Sequence, residues 1–263
     1  MQKKKAEPKA LFDEFYNTIY GSRWTEIKQS FTKESVPVVL DETMGKPYYM
    51  DRASIAAASA LPVSQGDCVL DMCAAPGGKT LILARKLNGN GLLVSNDRSA
   101  SRRARLHSVI EDCLSTDQKS VITVTGHDST QWGLHETDRY DAVLLDAPCS
   151  SERHVFNDSS ALAIWSPARP KHLAIQQFAM LAAALSAVKK GGYILYSTCS
   201  ICPMENQDVI SKLFKKRDGC AQEVEPDSEL PAKPEKLEHG QIFMPDVCQG
   251  IGPLYYCLLR RIK

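Results

Sequence analysis

What the chain lacks narrows it first. Its 263 residues contain no run of about eighteen apolar residues, so no helix is expected to span a membrane. The N-terminus MQKKKAEPKALFDEF is basic, but no apolar stretch follows it, which speaks against a secretory signal. Acidic Glu7 and Asp13 and the scarcity of serine there speak against a transit peptide. Charge of one sign is also missing: 32 Lys and Arg face 31 Asp and Glu, a net charge of +1. A nucleic acid would therefore be held by a local patch. The candidates are Lys3–Lys5, Arg102/Arg103/Arg105, Lys215–Arg217 and Arg260–Lys263, each equally readable as a solvated helix face or tail. There is no disulfide framework, because nine cysteines are scattered at unrelated spacings; free thiols in a reducing compartment fit better. Cys199 and Cys202 have CxxC spacing, but no second CxxC or paired histidine completes a metal site. No internal repeat or low-complexity segment is present. What remains is an ordinary globular composition, 43% apolar and 24% charged, long enough for one large core.

Against that background a rhythm stands out. Residues 11–31 carry apolar side chains at helical spacing and predict two short helices broken at Gly21. Residues 36–50 read as partly extended, and SIAAASAL (54–61) as a helix. Apolar runs then alternate with helical stretches. The runs are CVLDMC (68–73), GLLVSND (91–97), SVITVTG (120–126), YDAVLLDAPC (140–149), YILYSTC (193–199) and LYYCLLRRI (254–262). A long helix over 170–190 is expected to stop at Gly191–Gly192, and 218–240, rich in proline and charge, reads as a surface excursion. The runs are almost wholly apolar and so buried on both faces. Strands alternating with helices give an α/β fold with a mostly parallel, doubly wound sheet, whose ligands sit at the carboxyl ends of the strands.

The strand ends carry the chemistry. LDMCAAPGGKT follows the first run and opens a helix, whose start offers free N–H donors. Its Gly-Lys-Thr tail suggests a phosphate loop, but Cys73 stands where that loop needs its first glycine, and GxGxxG is absent too. Lys79 and the helix start suit a carboxylate instead. Asp97, ending the second run, suits ribose hydroxyls or serves as the N-cap of the next helix. Arg102 lies one turn on, and Asp128 follows the third run. A nucleoside with a charged amino-acid tail fits this set, and S-adenosylmethionine is such a molecule. The fourth run ends in Asp146, Pro148 and Cys149, the fifth in Cys199, so two thiols and a carboxylate converge on one cleft. A lone cysteine here would most simply be packing; two converging ones are not.

DMCAAPGGKT, NDRSASR, DAPCS and YSTCS…ENQDVI, in this order across about residues 54–216, resemble the motifs of the NOL/NOP/Sun-domain RNA cytosine-5 methyltransferases. The resemblance implies a Rossmann-like class I S-adenosylmethionine-dependent methyltransferase domain over 54–263 with an antiparallel C-terminal strand. Residues 1–53 would form a helical and extended extension packing on it. It implies a cytosine in rRNA or tRNA as substrate. Cys73, Ala74, Ala75, Pro76, Gly77, Gly78 and Lys79 would hold the cofactor; Asp97, Arg102 and Asp128 would flank its nucleoside; Asp146 would face the target base beside the cofactor. Cys199 takes the nucleophile's place and Cys149 that of the release cysteine. The segment DVCQGIGPLYYCLLRR departs from the family's Gly-Phe-Phe-like approach to the last strand. No appended RNA-binding domain is read, so local basic groups or an accessory RNA-binding protein would dock the RNA. A monomer in the cytoplasm, or alternatively the mitochondrial matrix, with no membrane partner completes the expectation.

The chemistry explains these residue types. C5 of cytosine is a poor nucleophile until a thiolate adds at C6, and sulfur both adds and leaves well. A free thiol has a pKa of about 8.5, so the site must favour thiolate. His154 is a possible neighbour of Cys199, though a surface loop histidine fits it as well. Two other readings compete. In a DNA cytosine-5 methyltransferase Cys149 would attack, but Ser150–Ser151 follow it where an acidic motif belongs, and Cys199 is left unexplained. A non-catalytic assembly module would not need an intact cofactor loop and both cysteines.

Overall fold

The computed structural model describes residues 7–33, 36–40, 45–227 and 230–263. The Lys3–Lys5 cluster lies outside them. A nine-stranded sheet carries the site. Its parallel half is β1 (Cys68–Asp71), β2 (Leu92–Asn96), β3 (Ile122–Thr125), β4 (Tyr140–Asp146) and β5 (Val188–Thr198), in spatial order β3-β2-β1-β4-β5. The chain runs outward from β1 to β3, then returns to lay β4 on the other side of β1. That reversal opens a crevice above the carboxyl ends of β1 and β4. The antiparallel part is β6 (Ala221–Glu223), β7 (Glu235–Lys236), β8 (Gln241–Phe243) and β9 (Leu254–Arg261). β9 lies antiparallel on β5, takes β8 and β6 along its outer side, and β7 pairs with β8.

The apolar runs make sense in this arrangement. Successive strand residues point to opposite faces, and both faces are covered. Val143 and Leu145 of β4, Ile194 and Tyr196 of β5, and Tyr255 and Cys257 of β9 pack in one core with α1 (Pro8–Tyr20), α2 (Trp24–Phe31) and the later helices. Ala142, Leu144, Leu195, Tyr256 and Leu258 point the other way, into a second core with α3 (Arg52–Ala60), α4 (Gly78–Leu87) and α5 (Ala100–Cys113). Each buried Val, Leu or Ile among them contributes roughly 1.5–3 kcal/mol by burial. The first core also holds Phe12, Tyr16 and Trp24 against Trp165; the Phe12 and Trp165 rings stand 5.0 Å apart at 80°. These edge contacts seat the two N-terminal helices, which part at Gly21 (φ +57°) as the sequence predicts.

Three expectations change. The long helix α9 (Ala168–Ala187) ends before the glycines, and β5 starts at Val188 and runs through them. Gly191 has φ +83°, and a Cβ on Gly192 would stand 2.6 Å from Asp141 O, so the pair shapes an irregularity in the β4–β5 register and does not stop the helix. β3 is the open edge and is only partly buried, unlike its neighbour β2. The excursion over 218–240 contributes β6 and β7, because its backbone groups pair with β9 and β8. Short helices α6 (Thr116–Ser120), α7 (Glu152–Asn157) and α8 (Ser159–Ala163) had no periodic signal; α10 (Gln207–Lys216) did. Despite the unusual approach segment, β9 is paired with β5 along Tyr255–Arg260. No helix among the described residues is long and apolar enough to cross a membrane.

Candidate active site

The loop from β1 to α4 turns on Gly77, whose φ of +122° suits glycine. A Cβ there would meet Val109 Cγ1 at 2.9 Å, and one on Gly78 would meet Met50 Sδ and Tyr48 Cε1 at 2.8 Å. The glycines therefore admit neighbouring side chains as well as a tight turn. At the end of β2, Asp97 is 4% exposed. Its Oδ1 accepts the Ser99 N–H at 2.9 Å. Ser99 caps α5, so the N-cap expected of Asp97 belongs to the serine two residues on. Asp97 Oδ2 is buried with no hydrogen-bond partner among the described residues, and Arg102 Nε stands 3.5 Å away. Arg102 also donates to Ala75 O, tying α5 to the loop. Asp128 Oδ1 accepts from Thr130 N and Oγ1 at 3.0 and 2.7 Å, while Oδ2 lies 3.3 Å from Arg98 Nη1.

Asp97 and Asp128 face one cavity of about 390 Å³ whose apolar walls are Met72, Pro148 and Met180. Cys73 lines it too. The unpartnered Asp97 oxygen and the apolar walls fit an adenosine, with ribose hydroxyls as donors and the base between side chains. Sequence reading singled out neither Met180 nor Asn96. Asn96 Nδ2 donates to Met72 O and His127 O at 3.1 Å, and its Oδ1 accepts the His127 N–H at 2.7 Å, so one amide fixes three loops around the cavity. Its only sequence signal is a polar residue closing an apolar strand.

Lys79 turns elsewhere. Its Nζ bonds Asp146 Oδ2 at 2.7 Å, and Ser197, opposite Asp146 in the β4–β5 register, donates to Oδ1 at 2.8 Å. Burial works to lower the Lys79 pKa, but the Asp146 carboxylate overrides it and raises it. Lys79, Asp146, Ala74, Ala75, Pro76 and Gly78 line a separate cavity of about 160 Å³ that meets the first at Cys73. Asp71 lies at its base, its Oδ2 accepting from Thr80 Oγ1 at 2.8 Å. Burial pushes the Asp71 carboxyl up to about 7 against the Thr80 bond.

Three residues past Asp146 and two past Ser197 the thiols meet. Cys149 Sγ lies 3.1 Å from Cys199 Sγ, and Ser151 Oγ lies 3.1 Å from Cys199 and 3.5 Å from Cys149. Cys199 is exposed and Cys149 half-buried. The contact with Cys149 pulls the Cys199 thiol below its ordinary value, with help from Ser151 and against burial; the same contact and burial push Cys149 up. The exposed sulfur is thus the better thiolate. His154 takes no part: it is exposed and 3.9 Å from Asp158. Cys202 is buried, and no cluster of metal-ligating side chains occurs among the described residues. A larger cavity of about 530 Å³ lies along β3 and shares only Asp128 with the adenosine-sized one.

Among proteins of known activity, the chain is 34% identical over 237 residues to the 5-cytosine rRNA methyltransferase NSUN4 of Bos taurus, covering 82% of this chain and 59% of that protein. It is 36% identical over 189 residues to the ribosomal RNA small subunit methyltransferase F of Aeromonas salmonicida (strain A449), covering 70% and 39%. The chain thus spans about three-fifths of NSUN4 and less of methyltransferase F. Its fold matches a methyltransferase homologue from Pyrococcus horikoshii with a TM-score of 0.74 at 21% identity, over 96% of this chain and 95% of that one. The family described as 16S rRNA methyltransferase RsmB/F matches residues 58–259, and the chain belongs to that family.

Proposed function

We propose that this chain methylates C5 of a cytosine in ribosomal RNA, with Cys199 as nucleophile and Cys149 assisting release. The observation that carries the reading is the pair of thiols, 3.1 Å apart at the ends of β4 and β5, with only the exposed one lowered in pKa. Membership of the RsmB/F family and the names of the relatives support rRNA as the substrate.

S-adenosylmethionine supplies an electrophilic methyl group when bound. Asp97 would take its ribose, Met72, Pro148 and Met180 would enclose its adenine, and Cys73 at the junction of the cavities would lie near its sulfonium. The Cys199 thiolate adds to C6 of the cytosine, which makes C5 nucleophilic. Asp146, oriented by Lys79 and Ser197, accepts a hydrogen bond from the N4 amino group and so orients the base. Once C5 carries the methyl group, its proton leaves, the C6–Sγ bond breaks and the ring regains aromaticity. Cys149, still a thiol at neutral pH and 3.1 Å from Cys199 Sγ, is placed to pass its hydrogen to the departing Cys199 sulfur and to take up the C5 proton in its place, so both thiols are restored. The base must leave its stack to reach the thiols, so the target is unpaired or flipped. Of the basic clusters, Arg261 is engaged with Asp138 and Val188 O and Arg103 with Asp97 O; outside them Arg98, although paired with Asp128 at 3.3 Å, keeps 75% of its side chain exposed near the crevice. RNA docking therefore falls to a few groups such as Arg98, or to a partner protein.

The two cysteine variants test the reading. Cys199→Ala should be inactive and form no covalent species with substrate RNA. Cys149→Ala should add to the base and stall, giving a shifted protein–RNA band on a denaturing gel. An adduct seen only with Cys199→Ala would reverse the roles to those of a DNA-type mechanism, and no adduct with either would sink covalent catalysis.

A further inference from the structure

Behind the thiols lies a wholly buried polar layer that the chemistry above does not use. Glu152, Ser150, Ser200 and Glu205 are each 0% exposed, as is Gln177 on α9. The connections are reciprocal. Glu152 belongs to the segment after Cys149 and holds the segment after Cys199: its Oε2 accepts the Ile201 N–H at 3.1 Å and its Oε1 meets Ser200 Oγ at 2.9 Å. Glu205 belongs to the segment after Cys199 and holds the segment after Cys149: its Oε2 accepts the Ser150 N–H at 2.9 Å and the Gln177 side chain at 2.9 Å. Among the described residues the two carboxyls meet through Ser200 alone, whose Oγ is 3.2 Å from Glu205 Oε1.

Counting hydrogens at Ser200 decides the charge. Its hydroxyl has one hydrogen and two lone pairs. One lone pair accepts the Cys202 N–H at 2.9 Å. The hydroxyl can then donate to one glutamate only, and the oxygen of the other must bring its own hydrogen to the remaining lone pair. We propose that Glu152 and Glu205 share a single proton through the Ser200 hydroxyl, and that this bridge is a positioning device that holds Cys149 and Cys199 in contact. The proton favours Glu205 Oε1, which has no other partner among the described residues, because Glu152 Oε1 already accepts the Tyr16 hydroxyl at 2.5 Å. Two carboxylates here would leave one oxygen unsatisfied in a dry interior and repel each other, which parts the two segments and the sulfurs with them.

The surroundings favour the neutral form. The titratable groups facing the pair are Tyr16 and Tyr20 from α1, Tyr196 from β5, whose hydroxyl donates to Glu205 O at 2.5 Å, and Cys149, Cys199 and Cys202. The guanidinium beyond Tyr20, that of Arg23, is taken by Glu235 and Asp246. Among the described residues no lysine or arginine pairs with either glutamate. Burial first, then the neighbouring carboxyl, pushes Glu152 up to about 7, and burial raises Glu205. The bridge ties the N-terminal helix α1 to both thiol segments through Tyr16.

The proton is visible without RNA or cofactor; only the link to methyl transfer rests on the proposed function. The infrared spectrum of the whole chain near neutral pH should contain a carboxylic-acid C=O band that both Glu205→Gln and Glu152→Gln remove, since one proton serves both residues. The band of Asp71 cancels in wild-type-minus-variant spectra. If neither variant removes a band, or each removes a different one, the shared proton is wrong. The positioning half is read from iodoacetamide alkylation, resolved by peptide mass spectrometry. The ratio of Cys199 to Cys149 labelling should fall several-fold in Glu205→Ala and return in Glu205→Gln, which can still donate to Ser200. An unchanged ratio in a folded Glu205→Ala, or no rescue by glutamine, overturns it. Should Glu205→Ala fail to fold, the infrared comparison of the two glutamine variants still decides. A bridge that passes both tests in a chain that methylates no RNA would count against the proposed function alone.

Discussion

Replacing Asp97 with asparagine changes one atom's charge and almost no volume, yet it should act with opposite signs on folding and on binding. In the folded chain the new amide keeps an oxygen for the Ser99 N–H, the hydrogen bond that Asp97 Oδ1 makes. The atom it alters, Oδ2, is buried and unpartnered, and its neighbour Arg102 is half-exposed at 3.5 Å and also bonds Ala75 O. An ion pair of that kind contributes about 0–1 kcal/mol, which relief of a buried charge that lacks a hydrogen bond offsets. The unliganded variant should therefore melt close to wild type. Binding is another matter. Loss of a hydrogen bond from ribose to a carboxylate costs about 1.5–3 kcal/mol, or roughly 10- to 150-fold in Kd. Ligand at about one hundred times the wild-type Kd stabilises the fold by about 2.7 kcal/mol. With the variant that gain falls to about 0.3–1.3 kcal/mol. At roughly 2–4 °C per kcal/mol for a chain of this size, the ligand-induced rise in Tm drops from about 5–11 °C to about 1–5 °C. Differential scanning fluorimetry with S-adenosylhomocysteine as probe reads both quantities at once. A wild-type ligand shift in the variant would remove Asp97 from the cofactor site, and a large loss of unliganded Tm would show a structural role instead.

Asp71 titrates at about 7 in the folded chain, raised from an ordinary 3.8 by burial. A carboxyl with a raised folded pKa stabilises the fold below its unfolded value, and that stability is lost as pH rises through the folded one. Measured by urea unfolding, wild type should therefore lose up to about 4 kcal/mol relative to Asp71→Asn between about pH 4 and pH 8 and nothing more above it; a gap independent of pH would mean that Asp71 is ionised throughout. Gly77→Ala forces a Cβ onto φ +122° and to 2.9 Å from Val109 Cγ1, and should cost roughly 1–3 kcal/mol, read as a lower Tm; an unchanged Tm would show that the loop relaxes freely.

The succession of strands along the chain and the place of the site at their carboxyl ends were legible because they follow from local pattern. Runs such as VLLD and YILYST are apolar at successive positions, which only a sheet covered on both faces accommodates, and Ala142/Leu144 and Val143/Leu145 do point into opposite cores. Cysteines 50 positions apart could be placed in one cleft because neighbouring parallel strands end together. Local pattern failed where a residue had two meanings. Gly191–Gly192 reads as a helix stop, yet the strand passes through both, since the tight approach of Asp141 O excludes a side chain that a helix end would tolerate. Asp97 reads as an N-cap, but Ser99 is closer to the start of α5 and takes the role.

The side chains that hold the site together were not legible at all, and the reason is physical. Asn96, Gln177, Glu152 and Glu205 make their bonds to backbone groups and side chains brought near by folding: Asn96 to Met72 and His127, Gln177 to Pro148, Glu152 to Tyr16 across 136 positions. A charged or amide residue in a sequence reads as exposed unless its partner is known, and nothing local announces the partner. The two glutamates illustrate the asymmetry. Each sits three or more residues beyond a cysteine, inside a stretch that attracts notice for its thiol. Each is buried only because the other segment supplies the N–H groups that satisfy it. A nucleophile can be inferred from the element that presents it; the layer that aims it exists only between elements, and so becomes visible only once they are assembled.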